Sequence, residues 1–152
     1  MLATRLVQLI EAHSAPLSEQ LLKKFPTTPQ CSDLNKVPSS ELKQRSYQIY
    51  RNLSDFLQTA TAKDVEERYV HLGVSRHHQG VSLAHLVYAL TMTKEHLLSY
   101  LEQQQFYADN SLALIGHLEF NRMLNQFFDR AIYWAVVGYE RAEQQERHRH
   151  VA

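Results

Sequence analysis

The 152-residue chain carries sixteen basic and sixteen acidic side chains, so its formal charge is zero, and its pI lies near 7.1. That length supports one domain with a real core and no need of cross-links. With ERHRH at 146–150 as its one basic cluster, the chain lacks the basic stripe of a nucleic-acid binder. A single cysteine, Cys31, rules out an internal disulfide.

The opening residues, MLATRLVQLIEAH, place Leu2, Leu6, Leu9 and Ile10 on one helix face, with Glu11 beside them. That layout is an amphipathic helix and not a signal peptide, which would set a basic region before an unbroken apolar one. A short second helix is expected over 17–25. Three of the four prolines, Pro26, Pro29 and Pro38, then fall in PTTPQCSDLNKVPSS. This stretch reads as a Pro-rich linker over 26–39, separating N-terminal helices in 1–25 from a helical core over 40–147.

Within that core Leu42, Ile49, Leu53, Phe56 and Leu57 recur at helical spacing, predicting a helix over 41–59. Thr61, three residues before Asp64, is an N-cap candidate for a helix over 62–78. Gly80 ends it and Ser82 caps the next, whose apolar series from Leu83 to Leu101 reaches about residue 104. A last helix starts at Asp109 or Ser111 and runs to about 147. No alternating segment with turn chemistry suggests a sheet. The fold class is all-α, a single bundle of four to six helices, possibly globin-like, with a long C-terminal helix.

That last helix changes character along its length. It is amphipathic over 112–128 and apolar nearly all round over 131–137, a pattern that implies burial on more than one side. It is also longer than a small bundle covers, so either it is the central helix or its flank packs on a second copy. A homodimer through this helix is the preferred expectation. The longest apolar run, AIYWAVVGY (131–139), falls far short of the roughly 20 residues that span a bilayer. The expectation is a cytoplasmic protein with no membrane partner.

Four of the nine histidines lie in YVHLGVSRHHQGVSLAH (69–85), which raises the question of a metal. His71 and His78 share a helix face with Asp64 and Glu67, while Val65, Tyr69 and Leu72 mark the core side. The histidine face therefore points to solvent, and Gly80 breaks the phase before His85. No glutamate has a histidine three residues later, as a di-iron bundle requires. A haem wants a core-side histidine, and the core-side residue here is Tyr69; His96 and His117 stand as isolated hydrogen-bonded or surface residues. No Gly-x-Ser-x-Gly turn or phosphate loop occurs, so neither an enzyme nor a cofactor is expected. Three cations fall in apolar helix phase: Arg45, Arg76 and Lys94. Their stems either run along the core edge with charges in water, or form an anion site or a charged pair between helices. The stripe His117, Asn121, Asn125 and Asp129 on the last helix is a possible set of partners for them.

The run ERYVHLGVSRHHQGVSLAHLVYAL (67–90) resembles the pattern Tyr-x-x-(apolar)-Gly-x-x-Arg-x-x-x-Gly-(Ile/Val)-x-Leu-x-x-Leu of RsbRD-type N-terminal domains. These domains occur in RsbT co-antagonist (stressosome) proteins. FFDRAIYWAVVGYERA (127–142) resembles their closing helix, and the resemblance spans residues 40–142. It implies a non-enzymatic signal-input module, haem-free and globin-like, typically dimeric, that acts on a protein partner through its C-terminal helix. It singles out Tyr69, Gly73, Arg76 and Gly80, with Asp129 in the closing helix. In globin sensors the haem-ligating histidine precedes a glycine by four, and Tyr69 holds that place before Gly73. The alternative is a haem- or small-ligand-binding globin-type sensor.

Overall fold

A computed structural model describes residues 2–55, 57, 62–103 and 111–151. Two helices, α1 (Leu2–Ala12) and α2 (Ser14–Lys24), are split at His13, whose backbone leaves the helical region. Leu6, Val7, Ile10, Leu17 and Leu21 bury the inner face of both; of the expected stripe Leu6 and Ile10 are buried and Leu9 half-buried. Next come two 3₁₀ segments, Phe25–Thr27 and Pro29–Lys36, each with proline in its first turn. Proline suits that place because the first N–H groups have no intrahelical partner.

This Pro-rich stretch corrects the expectation of a linker. Phe25, Cys31, Leu34 and Val37 are buried in the same apolar cluster as the flanking helices, and Pro29–Lys36 lies against the fifth helix. Burial pushes the Cys31 thiol up, so it is an inert core residue and not a mobile one. The prolines set φ and interrupt longer helices; they do not free the segment from the core.

Four longer helices complete the chain: α3 (Ser39–Arg51), α4 (Ala62–His78), α5 (Leu83–Gln103) and α6 (Ser111–Val151). α3 is interrupted at Asn52, which has left helical geometry (φ −110°, ψ 28°), and residues 53–55 and 57, inside the expected span of 41–59, are helical again. The N-cap candidate Thr61 and the alternative start Asp109 lie outside the described residues. Among the described residues every regular element is helical, so the protein is all-α with a long C-terminal helix.

α6, at 41 residues about 60 Å long, is the spine. It packs along α4 and touches α1 and α5. Phe120, Leu124, Phe128, Ala131 and Ala135 are its buried stripe, with the helical spacing of a single face. α4 and α6 run parallel: Tyr69 meets Phe127, Gly73 meets Ala135 and His77 meets Glu146, positions that advance together. Two glycines let them approach. A Cβ at Gly73 would lie 2.0 Å from the Ala135 carbonyl oxygen, and one at Gly138 would lie 2.1 Å from the Val70 carbonyl oxygen.

Candidate functional site

The turn between α4 and α5 gathers three side chains from two other parts of the chain, the Pro29–Lys36 segment and α6. α4 ends in a Schellman cap: Gly80 N–H donates to His77 O (3.1 Å) and Val81 N–H to Arg76 O (3.0 Å). That cap requires the left-handed backbone that Gly80 adopts at φ +79°. Ser82 opens α5, its Oγ accepting from His85 N–H at 3.4 Å. The turn's exposed backbone groups are met from outside. Ser82 N–H donates to Asp33 Oδ2 (2.9 Å), Lys36 Nζ to Gly80 O (3.1 Å), and the Tyr139 hydroxyl on α6 to Val81 O (2.8 Å). The Ser82 N–H bond is the first cause holding the Asp33 carboxyl below its ordinary value.

Beside this turn Arg76 is buried, with 3% of its surface exposed. Its Nη1 donates to Glu41 Oε1 of α3 (2.9 Å) and to Gln79 Oε1 (2.7 Å), and Gln79 Nε2 closes the ring on Glu41 Oε2 (2.9 Å). Burial acts to raise the Glu41 carboxyl, but the bonds from Arg76 and Gln79 and the charges of Arg76 and Arg45 outweigh it, holding it low. The pair is an interhelix charge bridge, and Arg76 does not merely run its stem along the core edge.

Between α3, α4 and α5 this bridge borders a cleft whose lining includes Leu72, Leu86 and Leu90 together with Tyr69, Arg45 and Arg76. Its cavity volume is about 70 Å³. Tyr69 is buried, edge-on to Phe127 at 5.8 Å between ring centroids, and burial raises its phenol well above the ordinary value. No histidine, cysteine or methionine is among the residues lining the cleft. Tyr69 is the one side chain there with any precedent as a haem ligand, and a cavity of 70 Å³ is far too small for the macrocycle.

Four of the six residues singled out by sequence, Tyr69, Gly73, Arg76 and Gly80, fall on α4 and its cap. Lys94 lies half-buried on α5 and Asp129 exposed on α6, and among the described residues neither is in an ion pair. Two of the three cations set against the stripe Asn121, Asn125 and Asp129 are engaged elsewhere: Arg76 on α4 pairs with Glu41 of α3, and Arg45 pairs with the same Glu41 within its own helix.

The histidines disperse. His71 and His78 are exposed; His77 packs edge-on to Tyr139 with Nε2 3.2 Å from Glu146; His85 Nδ1 accepts from Asp33 N–H (3.0 Å). His96 is buried, its Nδ1 2.7 Å from Lys24 Nζ and its Nε2 3.1 Å from Leu17 O. Among the described residues no three His, Cys, Asp or Glu side chains converge as a metal site, and no helix is long and apolar enough to cross a membrane.

Sequence reasoning passed over Glu41, Gln79, Asp33 and Gly138. Gly138 had a signal, since it interrupts an apolar run in a chain with four glycines. Glu41 had none, because an acid in a helix's first turn is ordinary.

No curated protein and no solved structure matches the chain. The sequence profile of the RsbT co-antagonist protein rsbRD N-terminal domain matches residues 2–152. That match takes in α1, α2 and the Pro-rich segment as well as the 40–142 of the motif resemblance. By this match over its whole length, the chain belongs to the RsbT co-antagonist rsbRD N-terminal domain family.

Proposed function

We propose that this domain, a regulatory member of a signal-transduction family, is a non-enzymatic sensory input module. In this reading it dimerises along α6 and passes a change of state to a protein partner in the cytoplasm. The observation that carries the reading is the outer flank of α6. Ile115, Leu118 and Tyr133 are 56%, 59% and 60% exposed, and Leu114 lies beside them. Ile115 and Tyr133 are eighteen residues, about five helical turns, apart and so share one face. Large apolar side chains lined up on a water-facing stripe favour a partner surface.

Between the apolar ends the stripe carries Arg122, Asn125, Gln126 and Asp129, all exposed. An antiparallel pairing of two α6 helices, centred between Asn125 and Gln126, sets Arg122 against Asp129 of the partner subunit. It also sets Leu118 against Tyr133 of the partner subunit. A parallel pairing would set like charges together, so the antiparallel one is preferred. Such an isologous contact is the usual form of a two-fold dimer.

Light scattering of the purified chain at micromolar concentration tests the reading. A dimer that Leu118→Glu converts to a folded monomer supports it, and a monomeric wild type overturns it.

A further inference from the structure

His85, in the first turn of α5, is held as an acceptor. The donor to its Nδ1 is a backbone amide, Asp33 N–H at 3.0 Å. An amide N–H only donates, so Nδ1 is unprotonated and the one proton of the neutral ring sits on Nε2. The same Nδ1 lies 3.7 Å from Asp33 Oδ2, the oxygen that accepts from Ser82 N–H at 2.9 Å. One residue of the Pro29–Lys36 segment thus holds the start of α5 twice, by its amide and by its carboxylate. The Ser82 bond keeps the Asp33 carboxyl below its ordinary value, so it stays charged over the range in which histidines titrate. Lys36 of the same segment donates to Gly80 O and stands 3.6 Å from Asp33 Oδ1. α6 sends Tyr139, a phenol that burial raises, with Glu143 and Glu146 beyond it. On the last turn of α4, His77 pairs with Glu146 and His78 is exposed. α2 meets α5 at His96, about three helical turns further on.

We propose that His85 is a proton-operated latch between the Pro29–Lys36 segment and α5. Histidine changes charge between about pH 5 and 8, and a proton added at Nδ1 turns the acceptor into a second donor. Two N–H groups then face each other across 3.0 Å, and Asp33 N–H loses its partner. The Asp33 carboxylate, 3.7 Å away, is the acceptor at hand for the new Nδ1–H. Moving to it withdraws Oδ2 from Ser82 N–H. Protonation therefore exchanges both bonds of Asp33 for one charge-assisted bond. His85 and Asp33 are each 25% exposed, so the proton reaches them from solvent without unfolding. The segment released is not a surface loop, because it buries Cys31 and Leu34 in the core. The inference deepens the sensory reading by naming pH as its input and rests on that reading for its meaning. The latch itself is measured separately from oligomeric state.

The test is nuclear magnetic resonance of the isotopically labelled full chain, titrated from about pH 8 to about pH 5 well below its melting temperature. At the alkaline end the His85 ring should be the Nε2–H tautomer. On acidification the Asp33 and Ser82 amide signals should shift with the same midpoint as the ring. Their hydrogen exchange, corrected for the intrinsic effect of pH, should quicken at least about tenfold. His85→Asn puts an amide oxygen in the place of Nδ1 and takes up no proton, so in that variant both amides should stay fixed across the range. Asp33 and Ser82 signals that ignore the titration of the ring overturn the proposal, as does a ring whose Nδ1 is still unprotonated at about pH 5. An equal response in His85→Asn assigns the shifts to another group and overturns it as well.

Discussion

Gly73 stands where a single added methyl would lie 2.0 Å from the carbonyl oxygen of Ala135, which makes the α4–α6 contact one that only glycine permits. Alanine in a helix gains about 1 kcal/mol over glycine from propensity. Here the obstacle is backbone of the facing helix, which cannot rotate aside, so the clash wins. Gly73→Ala is expected to lower stability by about 3 kcal/mol net. Gly138→Ala, which meets the Val70 carbonyl at the same crossing, should cost a similar amount. The double variant should cost less than the sum, because one separation of the helices relieves both. Urea unfolding followed by circular dichroism measures all three, and a neutral or stabilised Gly73→Ala would refute the close contact.

The Arg76–Glu41 bridge should respond unequally to removal of its two ends. Arg76 is buried and Glu41 partly exposed. Glu41→Ala therefore leaves a buried cation with Gln79 as its remaining acceptor, and is expected to cost about 2–3 kcal/mol. Arg76→Met leaves a carboxylate that water can reach and fills the space with an apolar chain, so its cost should stay within about 1 kcal/mol. Denaturant midpoints of the two variants decide it, and the reverse order would mean that the pair is not buried as described.

His96 predicts a pH dependence. Burial lowers its affinity for a proton, the Lys24 ammonium adds to that, and the bond to the Leu17 carbonyl opposes both without prevailing. With Lys24 donating to Nδ1, Nε2 carries the one ring proton and donates to Leu17 O. The folded state thus binds this proton less readily than the unfolded chain, whose histidine titrates near 6.5. Its contribution is fully present above that value, and is lost as pH falls through it toward the lower folded value. Melting temperatures between pH 8 and pH 5 should fall more steeply for wild type than for His96→Gln. Parallel curves would mean that the ring is not held neutral.

How far the sequence revealed this arrangement depended on the range of the interaction. The apolar periodicity that places Val65, Tyr69 and Leu72 inward in α4 is local, and the structure buries all three. Gly80 and Ser82 carry their capping geometry within a few residues, so the α4–α5 break was legible as well. The partner of Arg76 was not, because Glu41 lies thirty-five positions away on a helix whose placement no periodicity fixes. The Pro-rich segment misled for a related reason. Proline reports the local backbone and says nothing of whether Phe25, Cys31 and Leu34 face a core. The excess apolar character of 131–137 was visible. Tyr133, at 60% exposure, shows that burial on all sides does not follow within one chain.

The α6 flank gives a prediction about orientation. Arg122 and Asp129 are seven residues apart on the stripe and, among the described residues, neither is in an ion pair. In an antiparallel dimer each Arg122 faces the partner's Asp129, twice by symmetry. Arg122→Glu places two acidic pairs in the seam and should weaken association by at least about tenfold. Asp129→Arg should do the same with two basic pairs. Combining both restores opposite charges across the axis and should recover most of the affinity, which no parallel arrangement would do, since like would still meet like. Sedimentation equilibrium at low and moderate salt reads all four proteins, and the differences should shrink as salt screens these exposed charges. A double variant as weak as the single ones would rule out the antiparallel seam while leaving the Leu118→Glu test to decide whether α6 is the interface at all.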